Sequence, residues 1–324
     1  MFRLTSDISI GFRRVKPAKV VWKSSVGSLN DSCVIVLPRR AYLHDSSSLK
    51  DSAPKVAGVN VGDPVNVSLG YNGNNTPRFK GFVTRITLGA EMQIECIGYM
   101  YKLREVRFTK SYKKTTLKQI LTDLINGSGV VLSQHTVDVI VTNVTFKEAP
   151  ADKVLEWVQK ELLCTVSFYD NVLYAGVSKY GVPREEVKLS LGYNTVSDNE
   201  LKKVTQAPNN NIVISIKSKT GTVKKYKKET AKYSNVKTYN VRPGLEASYI
   251  KALQTELSKR EHVDGNQGSI TTFLEPPVSK GDTIKIIDNR YGVRGGIYFA
   301  ESVDGSYGSS GGRQKVVLKY IGNG

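Results

Sequence analysis

Between Lys217 and Lys237 the chain gathers eight lysines, Lys217, Lys219, Lys224, Lys225, Lys227, Lys228, Lys232 and Lys237, against a single acid, Glu229. Tyr226 and Tyr233 are interleaved with them. Such a stretch suits a nucleic-acid backbone or an acidic partner, because ammonium groups neutralise charge without reading sequence and bind less tightly as salt rises. If the stretch folds as two antiparallel strands, alternation puts about half of the lysines on one face. The pattern equally describes a solvated hairpin face whose charges protect an edge strand from mispairing. No RNA- or DNA-binding motif accompanies the cluster, which argues against sequence-specific recognition.

Other chemistry is weaker. Asp63 and Asp282 each follow a glycine at the head of a strand-like run. Paired carboxylates can do acid–base work or hold a cation, but Gly-Asp before a strand is first of all turn chemistry. His44-Asp45 sits in a serine-rich loop and reads as surface, and no GxSxG nucleophile elbow is present. The run Gly305 to Gly312 (GSYGSSGG) has the composition of a phosphate cradle. It lies between strands rather than ahead of a helix, so no helix N-terminus would face a phosphate. Cys33, Cys96 and Cys164 are far apart and read as buried small hydrophobes. His44, His135 and His262 lack metal-ligand spacing. No catalytic, cofactor-binding or metal residue is therefore assigned, no cofactor is expected, and the lysines are the one candidate surface.

The whole chain bounds what these residues can belong to. Its 324 residues, 40% apolar, suffice for two or three domains with cores of their own. No run of eighteen apolar residues exists, which excludes a membrane-spanning helix. The opening MFRLTSDISIGFRR has no secretory apolar core, so synthesis and assembly are expected in the cytoplasm. The net charge of +18 is uneven. Residues 1–108 carry sixteen Lys/Arg against eight Asp/Glu, residues 109–182 eight against seven, and residues 183–324 twenty-three against fourteen. A field of that sign favours polyanions or acidic protein surfaces.

The elements fall into three blocks. Up to about Arg107 the pattern is β, with runs at Lys19 to Trp22, Ser32 to Leu37, Asp63 to Leu69, Phe79 to Thr87 and Met92 to Gly98. At Thr115 the period changes. Leu117, Ile120, Leu121, Leu124 and Ile125 share one helical face, with Thr115 or Thr116 to cap it. A strand to Phe146, a helix opened by Ala149-Pro150 and a hairpin over Cys164 to Val177 complete a small helix-on-sheet module. From Pro183 β pattern returns, with strands at Asn211 to Lys217, Val223 to Lys228 and Lys237 to Val241, then a helix from Leu245 to about His262. This second half reads as a barrel of about six or seven strands carrying one helix.

The two β blocks share an outline. VNVGDPVNVSLGYNGNNTPRFKGFVTRI and VSKGDTIKIIDNRYGVRGGIYFAESVDGSYGSSGGRQKVVLKYI both open on Gly-Asp and a strand, with a second apolar run about twenty residues on. Repeated outlines mean repeated units. The expected class is α+β, mostly β: two related antiparallel β-barrel domains, 1–108 and 183–324, flanking a small α/β module, 109–182.

Three segments carry a family resemblance: GDPVNVSLGYNGNNTPRFKGFVTRI, the central TTLKQILTDL with VLEWVQKEL, and KGDTIKIIDNRYGVRGGIYFAESVDGSYGSSGGRQKVVLKYI. In them the chain resembles the bacteriophage tail or baseplate hub proteins of the late control protein D group, which are similar to the hub part of type VI secretion spike proteins. The resemblance implies a non-enzymatic virion component, assembled in the host cytoplasm, whose homotrimer forms a pseudo-six-fold ring. That ring would join a six-fold tail tube to a three-fold spike or central fibre, beside other baseplate proteins, with tape-measure protein or DNA in its lumen. Because the chain ends at Gly324 just after its last strand, any spike is expected to be a separate chain. Two other classes remain: a nucleic-acid-binding protein using the lysine hairpin, and a cell-wall hydrolase, for which no carboxylate pair stands out.

Overall fold

The computed structural model describes residues 3–38, 58–179, 186–204, 210–217, 223–228, 235–261, 265–290 and 292–322. Among the described residues three α-helices stand against long antiparallel sheets, so the fold is α+β and mostly β. Fourteen strands form one sheet to which both ends of the chain contribute. In the first half the order runs Lys19–Ser25, Ser32–Leu37, Met92–Ile97, Asn74–Leu88, Pro64–Tyr71, Leu4–Ile10, Arg13–Val15. In the second half, Thr195–Ser197 and Lys202–Val204 both lie on Gly265–Thr272. Gly311–Gly322, Gly296–Gly308, Thr283–Ile287 and Glu186–Ser190 follow in order.

Alternation explains the curl of each half. In Ser32–Leu37, Cys33, Ile35 and Leu37 point inward and are buried, while their neighbours do not. Inward residues from successive strands of the first half (Ile8, Val20, Cys33, Val67, Phe79, Ile94) meet in one cluster, which a flat sheet could not bring about. Leu189, Ile270, Ile284, Tyr298, Val303 and Leu318 make the corresponding core of the second half. All three cysteines are buried and none forms a disulfide, and burial pushes the Cys33 and Cys96 thiols up, Cys96 to about 12.

The duplicated Gly-Asp turns match bond for bond. Gly62 N–H donates to Val83 O (2.8 Å) and Gly281 N–H to Ala300 O (2.8 Å). Val83 N–H returns to Asp63 O and Ala300 N–H to Asp282 O, both at 3.0 Å. Each aspartate carboxylate closes its own turn, Asp63 accepting from Asn60 N–H (2.8 Å) and Asp282 from Ser279 N–H (2.7 Å). Both glycines hold positive φ, +95° and +88°, where a side chain would be strained. A bulge follows in both strands, between Val83 and Arg85 and between Ala300 and Ser302. One difference is topological: Leu4–Ile10 runs antiparallel to Pro64–Tyr71, whereas Glu186–Ser190 runs parallel to Thr283–Ile287.

Asp63→Ala and Asp282→Ala should each lower the unfolding free energy read from urea titration, by about 1 kcal/mol for the partly exposed first turn and about 1–3 kcal/mol for the second, where Asp282 is buried. Asparagine, which keeps the acceptor, should restore most of the loss. Equal, negligible losses from both alanine variants would show that the carboxylates do not hold the turns.

The middle of the chain has its own core. Helix α1 (Leu117–Ile125) buries the five predicted residues, and Thr116 caps it by accepting from Gln119 N–H (3.2 Å). Helix α2 (Ala151–Glu161) follows Pro150 and buries Val154, Leu155 and Val158. The paired strands Arg107–Thr116 and Ile140–Pro150, and the hairpin Thr165–Tyr169 with Val172–Gly176, complete it.

Here the structure departs from the sequence reading. Among the described residues Asn210–Lys217, Val223–Lys228 and Asn235–Val241, expected in the second barrel, pair only with one another, in the order 223–228, 210–217, 235–241. Helix α3 (Ala247–Glu261) packs on the central strand, and Ile212, Ile214, Tyr249 and Leu253 join the core of α1 and α2. Tyr249 O–H donates to Leu162 O (2.6 Å), and the Arg242 guanidinium lies 5.1 Å from the Trp157 ring centroid. Ile212, Ile214 and Ile216 show that one strand face is apolar; they carry no information about which neighbour that face meets.

Candidate interaction surfaces

The lysine stretch falls on this separate sheet. Lys217 ends the central strand, Lys224, Lys225, Lys227 and Lys228 lie on one flanking strand, and Lys237 lies on the other. Lys219 and Lys232 lie outside the described residues. The register sets Lys224 opposite Ile216 and Lys228 opposite Ile212, but Lys225 opposite Ser215 and Lys227 opposite Val213. The flanking strand's four lysines are thus shared two and two between register faces, and Ile212 separates Lys228 from Lys237. Lys237 is exposed, with its ammonium 5.5 Å from the Tyr239 ring centroid.

The two halves of the chain meet along a strand joint. Beyond its bulge, Gly296–Gly308 pairs with Lys19–Ser25, from Ser302 opposite Ser25 to Gly308 opposite Lys19. Val26 N–H donates to Glu301 O (2.9 Å), and the Glu301 carboxylate holds Lys179 at 2.9 Å, bringing in the end of the middle module. Within the joint Asp304 faces Lys23 and Gly305 faces Trp22. A Cβ on Gly305 would lie 1.9 Å from the Trp22 indole, so only glycine admits that ring.

Charged groups lock the same region. Lys280 Nζ lies 2.7 Å from both carboxylate oxygens of Asp31, and both side chains are largely buried. Burial raises the Asp31 pKa, and Lys280 opposes that rise. Arg78, 2% exposed, donates to Leu274 O and to Gln314 Oε1 (3.2 Å) and lies 3.6 Å from Glu275. Desolvation pulls its pKa down to about 10. Lys80 binds Asp170 at 2.9 Å. Asp31, Lys280, Arg78, Lys80, Asp170 and Tyr99 line a cavity of about 170 Å³ where the first half, the middle module and the Lys280 turn converge. Sequence reading missed this cluster, because Lys280 and Asp31 are 249 residues apart and neither belongs to a local pattern.

Among the described residues no group of three or more His, Cys, Asp or Glu is placed to hold a metal ion, and no helix is long and apolar enough to cross a membrane. His44-Asp45 lies outside the described residues. The glycine run Gly305 to Gly312 continues two strands, with Tyr307 opposite Gly312 and Gly308 opposite Gly311. Cross-strand partners, absent from any reading of composition, make it a hairpin. An apolar groove of about 520 Å³ lies beside it, lined by Leu4, Tyr71, Tyr193, Phe273 and Arg313, with the Arg313 guanidinium 4.8 Å from the Phe273 centroid.

No protein-family model matches this sequence, and no curated protein matches it. Solved structures do. The chain is similar to the tail protein from Neisseria meningitidis MC58, with a TM-score of 0.68 at 11% identity over 98% of this chain and 96% of that one. It is similar to the 43 kDa tail protein of prophage MuSo2 from Shewanella oneidensis, with a TM-score of 0.64 at 12% identity over 98% of each. A third is an E. coli component of the type VI secretion system described as structurally similar to the T4 bacteriophage tail proteins gp27 and gp5. That likeness has a TM-score of 0.64 at 13% identity over 97% of this chain and 76% of that one. The chain has the fold of these tail and secretion proteins.

Proposed function

We propose that this protein is the structural hub of a phage tail or a related contractile injection system, acting by assembly and without catalysis. The observation that carries the reading is a duplicated unit, matched down to the Gly62 and Gly281 turns and joined through one continuous sheet, in a chain with a tail-protein fold. Two similar units per chain let three chains present six similar positions, which is how a trimer meets a six-fold tube on one side and a three-fold spike or central fibre on the other. The units would be the sheets around the two outer cores, with the lysine-bearing sheet and α3 assigned to the middle module whose core they share. The partners would be tube, spike and baseplate proteins in the virion, and the net charge of +18 suits acidic neighbours or DNA in the lumen.

Light scattering on the purified chain should give three times its 35.8 kDa mass, and negative-stain images should show a ring with a central hole. A monomer at every concentration would overturn the hub reading.

A further inference from the structure

The joint that unites the two halves uses one edge from each, and the repeat supplies a second copy of both edges. Val83 and Ala300 occupy the same place in the two units, so Arg85 corresponds to Ser302, Ile86 to Val303, Thr87 to Asp304 and Leu88 to Gly305. In the second unit this segment carries Lys19–Ser25 on its outer edge. In the first, Arg85–Leu88 pairs with Met92–Ile97 on one side, and among the described residues no strand pairs with the other.

The complementary edge is also present twice. Ser32 and Gln267 are equivalent, because each pairs with the strand residue (Ile97, Lys319) that faces Phe82 or Phe299. Lys23 pairs with Ser32 and Lys202 with Gln267. Hence Lys202 corresponds to Lys23, Lys203 to Ser24, and the buried Leu201 to the buried Trp22. Among the described residues Thr195–Ser197 and Lys202–Val204 pair only with Gly265–Thr272, leaving their other edge open.

We infer that these two open edges pair with each other between copies of this chain, Arg85–Leu88 of one antiparallel to the Leu201–Val204 edge of the next, with Thr87 opposite Lys202 and Ile86 opposite Lys203. The occupant is a second copy because the missing partner of each edge is the equivalent of a strand already seated inside the chain. Side-chain volume agrees. Where the internal joint sets Trp22 over Gly305, the joint between copies sets Leu201 beside Leu88, sharing the bulk between the two sides. Leu88 is 61% exposed and Val196, on the complementary edge, 45%, so apolar surface waits on both. Because the two edges differ, the contact is head-to-tail and closes only as a ring. Backbone pairing supplies affinity, and the bulge register fixes which residues meet.

The inference rests on the hub reading for the number of copies, not for the identity of the edges. Two full-length double variants test it, Thr87→Cys with Lys202→Cys and Ile86→Cys with Lys203→Cys. Opposite residues of an antiparallel pair lie about 4.5–5.5 Å apart at Cα, within disulfide reach. The three native thiols are buried and should not compete. Mild oxidation should convert the monomer band on non-reducing denaturing gels to a species of three times the chain mass, and each single variant should stay monomeric on the gel. A trimer in solution that neither pair cross-links overturns the joint and leaves the hub reading standing. Cross-linked rings of another number support the joint and overturn the three-fold hub. A monomer without cross-links overturns both.

Discussion

Lys280→Met is expected to destabilise the protein by about 3–5 kcal/mol, because it leaves the Asp31 carboxylate buried without its counter-charge. The loss should depend on pH with a definite sign. Asp31 is held above its ordinary value of 3.8 chiefly by desolvation, with Lys280 pulling it back down. A carboxyl whose folded pKa exceeds its unfolded one takes up protons on folding. Stability is then greatest below both values and falls as pH rises from 3.8 to the folded pKa. Removing Lys280 widens that window upward. The deficit of the variant should therefore be smaller at about pH 4 than at about pH 7. Urea unfolding at the two pH values checks it, and an equal deficit at both would sink the account. Asp31→Asn added to Lys280→Met should recover part of the loss at neutral pH, since the orphaned charge is gone.

Gly305→Ala should cost about 1–3 kcal/mol although it adds one methyl group. The new Cβ would stand 1.9 Å from the Trp22 indole, which is buried in the first core, so the ring or the strand must shift. Trp22→Ala should cost about 3–5 kcal/mol by leaving a cavity. The double variant should lose clearly less than the two losses added together, because the three atoms nearest the extra methyl all belong to the indole that is removed. Denaturant midpoints of the three variants measure this coupling, and strict additivity would mean that the close approach does not govern the joint.

What the sequence showed was local. The apolar face from Leu117 to Ile125 and the turns at Gly62 and Gly281 depend on residues a few positions apart, and the chain spells them out. Arg107–Thr116 escaped notice because RFTKSYKKTT lies mostly exposed and shows no alternation; its strand state comes from its pairing with Ile140–Pro150. The Lys280–Asp31 contact escaped for a similar reason, both side chains being ordinary in their own neighbourhoods. The lysine stretch was legible only as a cluster in sequence, since which lysines share a register face depends on a strand pairing that composition does not contain.

The excursion that carries the lysine-bearing sheet and α3 leaves the large sheet at Val204 and re-enters it at Gly265, and those two residues lie directly opposite each other in the ladder. The excursion is thus a parenthesis in the second unit, which needs only that its two ends be brought together. Loop closure grows slowly with length, so replacing a tight turn of a few residues by some sixty costs roughly 2 kcal/mol. At that position the fold can lengthen, shorten or exchange what it displays while every strand of the large sheet keeps its neighbour. The two ends of the excursion therefore behave as one attachment point on the large sheet.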